Sequence, residues 1–97
     1  MHIRTVDNTD ELTNHILRFF NTDDENGFLI TDLQDSEYIQ QLNNTMGEDE
    51  AYYVIRNTTY SLVNLGLLEK TNFVSRRGTR YRTTDRGKEF LGLIRVA

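Results

Sequence analysis

The chain contains no cysteine, which excludes disulfides, thiolate metal centres and cysteine nucleophiles. It contains no proline either, so glycine, asparagine and aspartate carry the punctuation of its turns. No apolar run approaches the roughly 18 residues that a spanning helix requires. The opening Met1-His2-Ile3-Arg4-Thr5 is not a secretory signal. The expected setting is a reducing, cytoplasmic one, with no membrane partner. Motifs of catalysis are equally scarce. There is no glycine loop of the kind that cradles phosphate, no nucleophile elbow and no zincin signature. His2 and His15 sit in no zinc spacing. Residues 22–33 place Asp24, Asn26 and Gly27 as a calcium loop would, but Thr22 and Leu33 stand where its strongest ligands belong. The asparagine-x-threonine triplets at Asn43 and Asn57 carry no weight without secretion. The sequence therefore predicts a protein that is not an enzyme and needs no cofactor or metal.

What remains is a modest apolar content and an uneven charge. Leucine, isoleucine, valine and phenylalanine fill 27 of 97 positions, enough for one small folded domain over residues 1–97 with a thin core. The net charge of −4 hides two opposed halves. Residues 1–65 carry three basic side chains against twelve acidic ones, whereas residues 66–97 carry eight basic against three acidic. A basic end of this kind suits a polyanion, and an acidic half suits a basic protein partner. Neutralisation of one half by the other within the fold is the plain alternative.

The hydrophobic period divides the chain into seven elements. Asn8, with Glu11 three residues on, predicts a capped helix start, and Leu12, Ile16, Leu17 and Phe20 share its buried face. Asn26-Gly27 breaks that helix, and Phe28-Leu29-Ile30 suits a short strand. A second helix starts at Thr31 or around Asp35-Ser36 and buries Leu33, Ile39 and Leu42. A third opens on Glu48-Asp49-Glu50 and runs to Leu65, where Gly66 stops it. Residues 67–75 read as extended, Arg76-Arg77-Gly78 as a turn, and Thr79-Arg80-Tyr81-Arg82-Thr83 alternates strictly. Together they predict a hairpin. Alternation sets Arg80 and Arg82 on one face and Tyr81 on the other. Thr84 then caps a short final helix. The fold class expected is α+β, mainly α, in the order helix, strand, helix, helix, strand, strand, helix.

That order resembles the winged helix-turn-helix superfamily, most closely over residues 58–91. Leu62-Val63-Asn64-Leu65-Gly66-Leu67-Leu68-Glu69-Lys70 is similar to the junction between a recognition helix and the first wing strand. Arg80-Tyr81-Arg82-Thr83-Thr84-Asp85-Arg86-Gly87 is similar to the second wing strand and following helix of MarR- and PadR-type regulators. Two departures stand out: an acidic stretch before the third helix, and a final helix too short for the dimerising helices of those regulators. The resemblance implies a winged-helix transcriptional regulator that binds double-stranded DNA. Its recognition helix, at about 49–65, would enter the major groove, and its wing, at about 67–83, would lie on the backbone or in the minor groove.

The residues themselves fit those roles. Ala51, Ile55, Thr59, Leu62 and Val63 form an inward stripe on the third helix. Tyr53, Arg56, Asn57 and Tyr60 then occupy another face. Arginine pairs bidentately with guanine and asparagine with adenine, and tyrosine hydroxyls bind phosphate. On the wing, Arg76, Arg77, Arg80 and Arg82 cluster within seven residues, with Lys70 and Arg86 near the hairpin's ends. Clustered arginine fits phosphate or a narrow minor groove, although charge on a strand edge also prevents edge-to-edge pairing. A homodimer, drawing on Ile3, Val6, Leu93 and Val96, would match a palindromic site. Two other readings compete. One is a winged-helix protein–protein assembly module that does not bind DNA and receives a basic partner on its acidic half. The other is a single-strand or RNA binder stacking bases on Tyr53, Tyr60 and Phe73.

Overall fold

A computed structural model describes residues 2–73 and 76–95, with the side chains described from residue 11 onward. Four helices and three short strands alternate as α1 (His2–Phe19), β1 (Phe28–Leu29), α2 (Glu37–Met46), α3 (Glu48–Asn64), β2 (Leu68–Lys70), β3 (Arg80–Thr83) and α4 (Asp85–Phe90). A 3-10 turn over Ile30–Asp35 joins β1 to α2. The fold is thus α+β, mainly helical, with a small antiparallel sheet in the order β1-β3-β2. Among the described residues no helix is long and apolar enough to cross a membrane.

Local chemistry sets most boundaries. α3 ends in a Schellman motif: the Leu67 amide donates to the Leu62 carbonyl at 2.9 Å, and the Gly66 amide donates to that of Val63 at 3.0 Å. Gly66 adopts φ +80°, a conformation glycine reaches without the steric cost of a Cβ. Leu62 and Leu67, both buried, close the turn with an apolar contact. Thr84 caps α4, its hydroxyl accepting from the Gly87 amide at 3.1 Å. Of the two starts expected for the second helix, the one at Asp35-Ser36 is used and the one at Thr31 is not. Thr31 lies inside the 3-10 turn, where Asp32 rather than Gln34 reaches back, accepting from the Leu29 amide at 2.9 Å. Ser36 then caps α2 by accepting from the Ile39 amide at 3.2 Å.

One expectation about the first helix needs correction. α1 begins at His2, so Asn8 lies within the helix and not at its start. An interior asparagine costs a helix only tenths of a kcal/mol, about the spread of ordinary propensities, so a cap-competent residue does not compel a start. The first hairpin strand, Leu68–Lys70, falls within the extended stretch expected in residues 67–75, and the Thr71 amide adds a bond to the Arg80 carbonyl at 2.9 Å. Val74 and Ser75 lie outside the described residues, as does Val96, and the side chains of Ile3 and Val6 are not described.

The core joins all layers. Leu12, Ile16, Leu17 and Phe20 of α1 meet Leu33, Ile39, Ile55, Leu62, Leu67, Leu68 and Tyr81. β3 is the central strand, pairing Tyr81 with Phe28 on one side and with Lys70 on the other. Its alternation is as expected: Tyr81 and Thr83 are buried, while Arg80 and Arg82 are partly exposed. β3 is also locked to the end of α1. The Thr83 hydroxyl donates to the Leu17 carbonyl at 2.7 Å, and the Thr83 amide donates to Phe20 at 3.0 Å. These bonds satisfy carbonyls that a helix end leaves without partners.

Candidate nucleic-acid interface

The helical period of α3 separates two faces. Ala51, Ile55, Thr59 and Leu62 are buried, and the Thr59 hydroxyl is satisfied within the helix by donating to Ile55 at 2.8 Å. On the outer face Tyr53 is 58% exposed and Tyr60 46%. Asn57 is exposed between them, and Arg56 is half-buried. Tyr52, Tyr53 and Tyr60 lie at i−4, i−3 and i+4 from Arg56, the spacings at which helical side chains meet. The Arg56 guanidinium carbon accordingly lies 5.0 Å from the ring centroid of Tyr53, 5.9 Å from that of Tyr60 and 6.0 Å from that of Tyr52. Its Nε is buried without a hydrogen-bond partner. Cation–π attraction within about 6 Å therefore holds a cation in place on a helix surface, limiting the rotamers it must surrender on binding.

The side of α3 that carries Tyr52 and Tyr60 meets the hairpin. A cleft of about 180 Å³ is lined by Tyr52 and Tyr60 of α3, by Arg77, Gly78 and Thr79 at the hairpin tip, by Tyr81, and by Leu29, Ile30 and Thr31. A second cleft, of about 410 Å³, shares Tyr60, Thr79 and Tyr81 with the first and extends to Val63, Asn64 and Lys70. The two form one furrow between α3 and the hairpin, with Arg77 at one end and Lys70 at the other. Among the described residues, no carboxylate lines either cleft. Tyr81 forms the floor at 4% exposure, its ring edge-on to Phe20 at 6.1 Å. Burial, followed by the neighbouring phenols of Tyr60 and Tyr52, raises the Tyr81 hydroxyl above the ordinary tyrosine value. It remains a neutral donor at physiological pH.

The four arginines of the hairpin do not share one surface. Arg76 and Arg77 are exposed at the tip. Arg80 and Arg82 stand on the face of β3 opposite Tyr81. Arg80 donates to the Gly27 carbonyl at 3.0 Å and lies 5.0 Å from the Phe73 ring centroid. Arg82 approaches Glu69 at 3.9 Å and lines a cleft of about 480 Å³ with Glu25, Asn26, Glu69, Lys70 and Phe73. The Nε atoms of both arginines are buried without hydrogen-bond partners. Phe73, expected as a base-stacking platform, is thus covered on one side by Arg80 and separated by the sheet from Tyr53 and Tyr60.

The acidic start of α3 adjoins the tyrosines. Glu48 and Asp49 line a hollow of about 540 Å³ with Thr31, Gln34, Tyr52 and Tyr53. Elsewhere, Asp24 accepts from the Asn26 amide at 2.9 Å, giving residues 24–27 the chemistry of a turn. Among the described residues, no three metal-ligating side chains converge. His15 is half-buried, bonded through Nε2 to the Ser36 hydroxyl at 3.1 Å and stacked on Tyr38 at 4.6 Å.

Sequence reasoning found Tyr53, Arg56, Asn57 and Tyr60 as a face, but it did not single out Tyr52 or assign the Tyr81 phenol to a surface feature. The one signal for Tyr52 was its place eight residues before Tyr60, two turns along the same side of a helix. Comparison of the chain with protein-family models, with curated proteins and with solved structures returns no match.

Proposed function

We propose that this chain is a sequence-specific double-stranded DNA-binding protein of the winged helix-turn-helix kind, acting as a transcriptional regulator. α3 enters the major groove, and the hairpin follows the adjacent backbone or minor groove. The observation that carries this reading is the furrow. In a protein of net charge −4, a channel between helix and hairpin has cations at both ends and, among the described residues, no carboxylate in its walls. Phosphate contacts fix register, while side chains on the helix read base edges. Arg56, steadied by three rings, and exposed Asn57 supply the two side-chain types that pair bidentately with guanine and adenine. Of the wing residues, Arg76 and Arg77 at the tip are placed to meet a phosphate strand. Arg80 and Arg82 would reach one only past the outer face of the hairpin.

Binding of a random-sequence duplex at low salt, followed by fluorescence anisotropy, tests the reading. Arg56→Ala should weaken a selected site by about 1–3 kcal/mol and relax its base preference. Absence of any duplex binding at low salt contradicts it.

One observation favours the assembly-module alternative. Leu65, 61% exposed, and Phe90, 53% exposed, line a hollow of about 290 Å³ with Leu67, Arg86 and Glu89, and Leu93 and Ile94 are exposed nearby in sequence. Apolar surface of this kind suits a protein partner. On the DNA reading that partner is a second copy of this chain, which a palindromic site requires. Sedimentation of the free protein separates the two: a dimer lost in Leu65→Ser/Phe90→Ser supports self-association.

A further inference from the structure

We propose that the smaller cleft of the furrow is a phosphate site, in which the hydroxyls of Tyr52, Tyr60, Tyr81 and Thr79 and the guanidinium of Arg77 close around one phosphoryl oxyanion. The inference deepens the DNA reading. It rests on that reading for the natural ligand, a backbone phosphodiester, and not for the affinity for phosphate itself.

Three features select this chemistry. First, the polar side chains that line the cleft all carry donors. A phenol or threonine hydroxyl donates one hydrogen bond, and arginine presents a fork that matches phosphate oxygens. Among the described residues no carboxylate lines its walls, so none of those residues repels an anion. The neighbouring clefts differ, since one contains Glu25 and Glu69 and another Glu48 and Asp49. Second, the size is right. A volume of about 180 Å³ equals roughly six waters at their share of liquid volume, enough for a phosphoryl group and too little for a whole nucleotide. A carboxylate has too few oxygens to engage donors on every side, whereas a tetrahedral oxyanion does not. Third, the donors are held by rigid elements. Tyr52 and Tyr60 project from α3, which the Schellman motif joins directly to the hairpin, and Tyr81 sits on the central strand packed against Phe20. Preformed donors bind without the ordering cost of mobile ones.

The test is a titration of the full chain with inorganic phosphate at constant ionic strength, followed by amide NMR shifts. Random-sequence duplex is titrated in parallel. Saturable shifts at Gly78 and Thr79 are expected, together with phosphate affinity about tenfold lower or worse in Tyr52→Phe/Tyr81→Phe, the effect of losing hydrogen bonds to a charged group. That variant keeps both rings and therefore the packing. Its amide spectrum away from the cleft and its melting temperature confirm that it is folded. No saturable shift at these amides, or unchanged phosphate affinity in the variant, overturns the proposal. Duplex that moves the same amides and competes with phosphate identifies the ligand as the DNA backbone. Phosphate binding without duplex binding keeps the site, makes a free phosphate monoester its ligand, and refutes the DNA reading. Duplex binding that leaves Gly78 and Thr79 unmoved keeps the DNA reading and refutes the backbone phosphodiester as the ligand of this site.

Discussion

The hydroxyl of Thr83 donates to the main-chain carbonyl of Leu17 at 2.7 Å, tying the last residue of the central strand to the last turn of the first helix across 66 positions of sequence. Both groups are buried, so removing the donor strands a carbonyl away from water. Thr83→Val, nearly equal in volume, should destabilise the fold by about 1–3 kcal/mol. Urea unfolding measures this. A midpoint equal to that of the unsubstituted protein would mean the strand is held to α1 by packing alone.

Arg77 immediately precedes Gly78, Arg80 lies two residues after it, and the two have different duties. Arg80 is occupied by the Gly27 carbonyl and the Phe73 ring, so Arg80→Ala should cost about 1 kcal/mol of stability and change duplex affinity little at temperatures where the variant is folded. Arg77→Ala should do the reverse, weakening duplex binding severalfold with a small change in melting temperature. Equal losses of duplex affinity in both variants would mean that the outer face of the hairpin also meets DNA.

Much of this was legible beforehand. Gly66 after an amphipathic helix, Thr84 before Asp85, and alternation over residues 79–83 are local signals whose partners lie within a few residues, and each element formed where those signals put it. The buried stripe of α3 from Ala51 to Leu62 was equally readable, because a 3.6-residue period depends only on the helix itself. The Asn8 signal failed because helix continuation upstream outweighs a weak local preference. The furrow was not legible, since whether Tyr52 and Tyr81 face each other depends on how α3 lies against the hairpin. Likewise, alternation set Arg80 and Arg82 on the outer face, but that Gly27, Phe73 and Glu69 would occupy them is a matter of tertiary packing.

Stability should depend on pH through His15. Burial lowers its pKa from the ordinary 6.5, so the folded protein favours the neutral ring that bonds Ser36 and stacks on Tyr38. Below pH 6.5 the unfolded chain takes up a proton before the folded one does, and stability falls as pH drops through that value; above it, the contribution is complete. Urea midpoints between pH 5 and pH 8 should therefore decline on the acid side, and His15→Gln should flatten that decline. The same steepness in His15→Gln would assign the dependence to other groups.

The carboxylates at the start of α3 should oppose DNA. Glu48 and Asp49 share a hollow with Tyr52 and Tyr53, so their charge should act on any duplex laid along the helix. Glu48→Gln/Asp49→Asn should strengthen duplex binding severalfold at low salt, with the gain shrinking as screening increases, since the Debye length falls from about 30 Å at 0.01 M to about 10 Å at 0.1 M. Unchanged affinity at low salt would place these residues outside the footprint.

The most direct test of the furrow is the salt dependence of duplex affinity in the unsubstituted protein and in Lys70→Gln/Arg77→Gln. With Lys70, Arg76 and Arg77 as the cations that meet phosphate, log K should fall with log salt at a slope of about −3. The double variant should lose about two units of that slope while its melting temperature stays near that of the parent. A slope unaltered by removing both end cations, or no slope at all, would contradict the account.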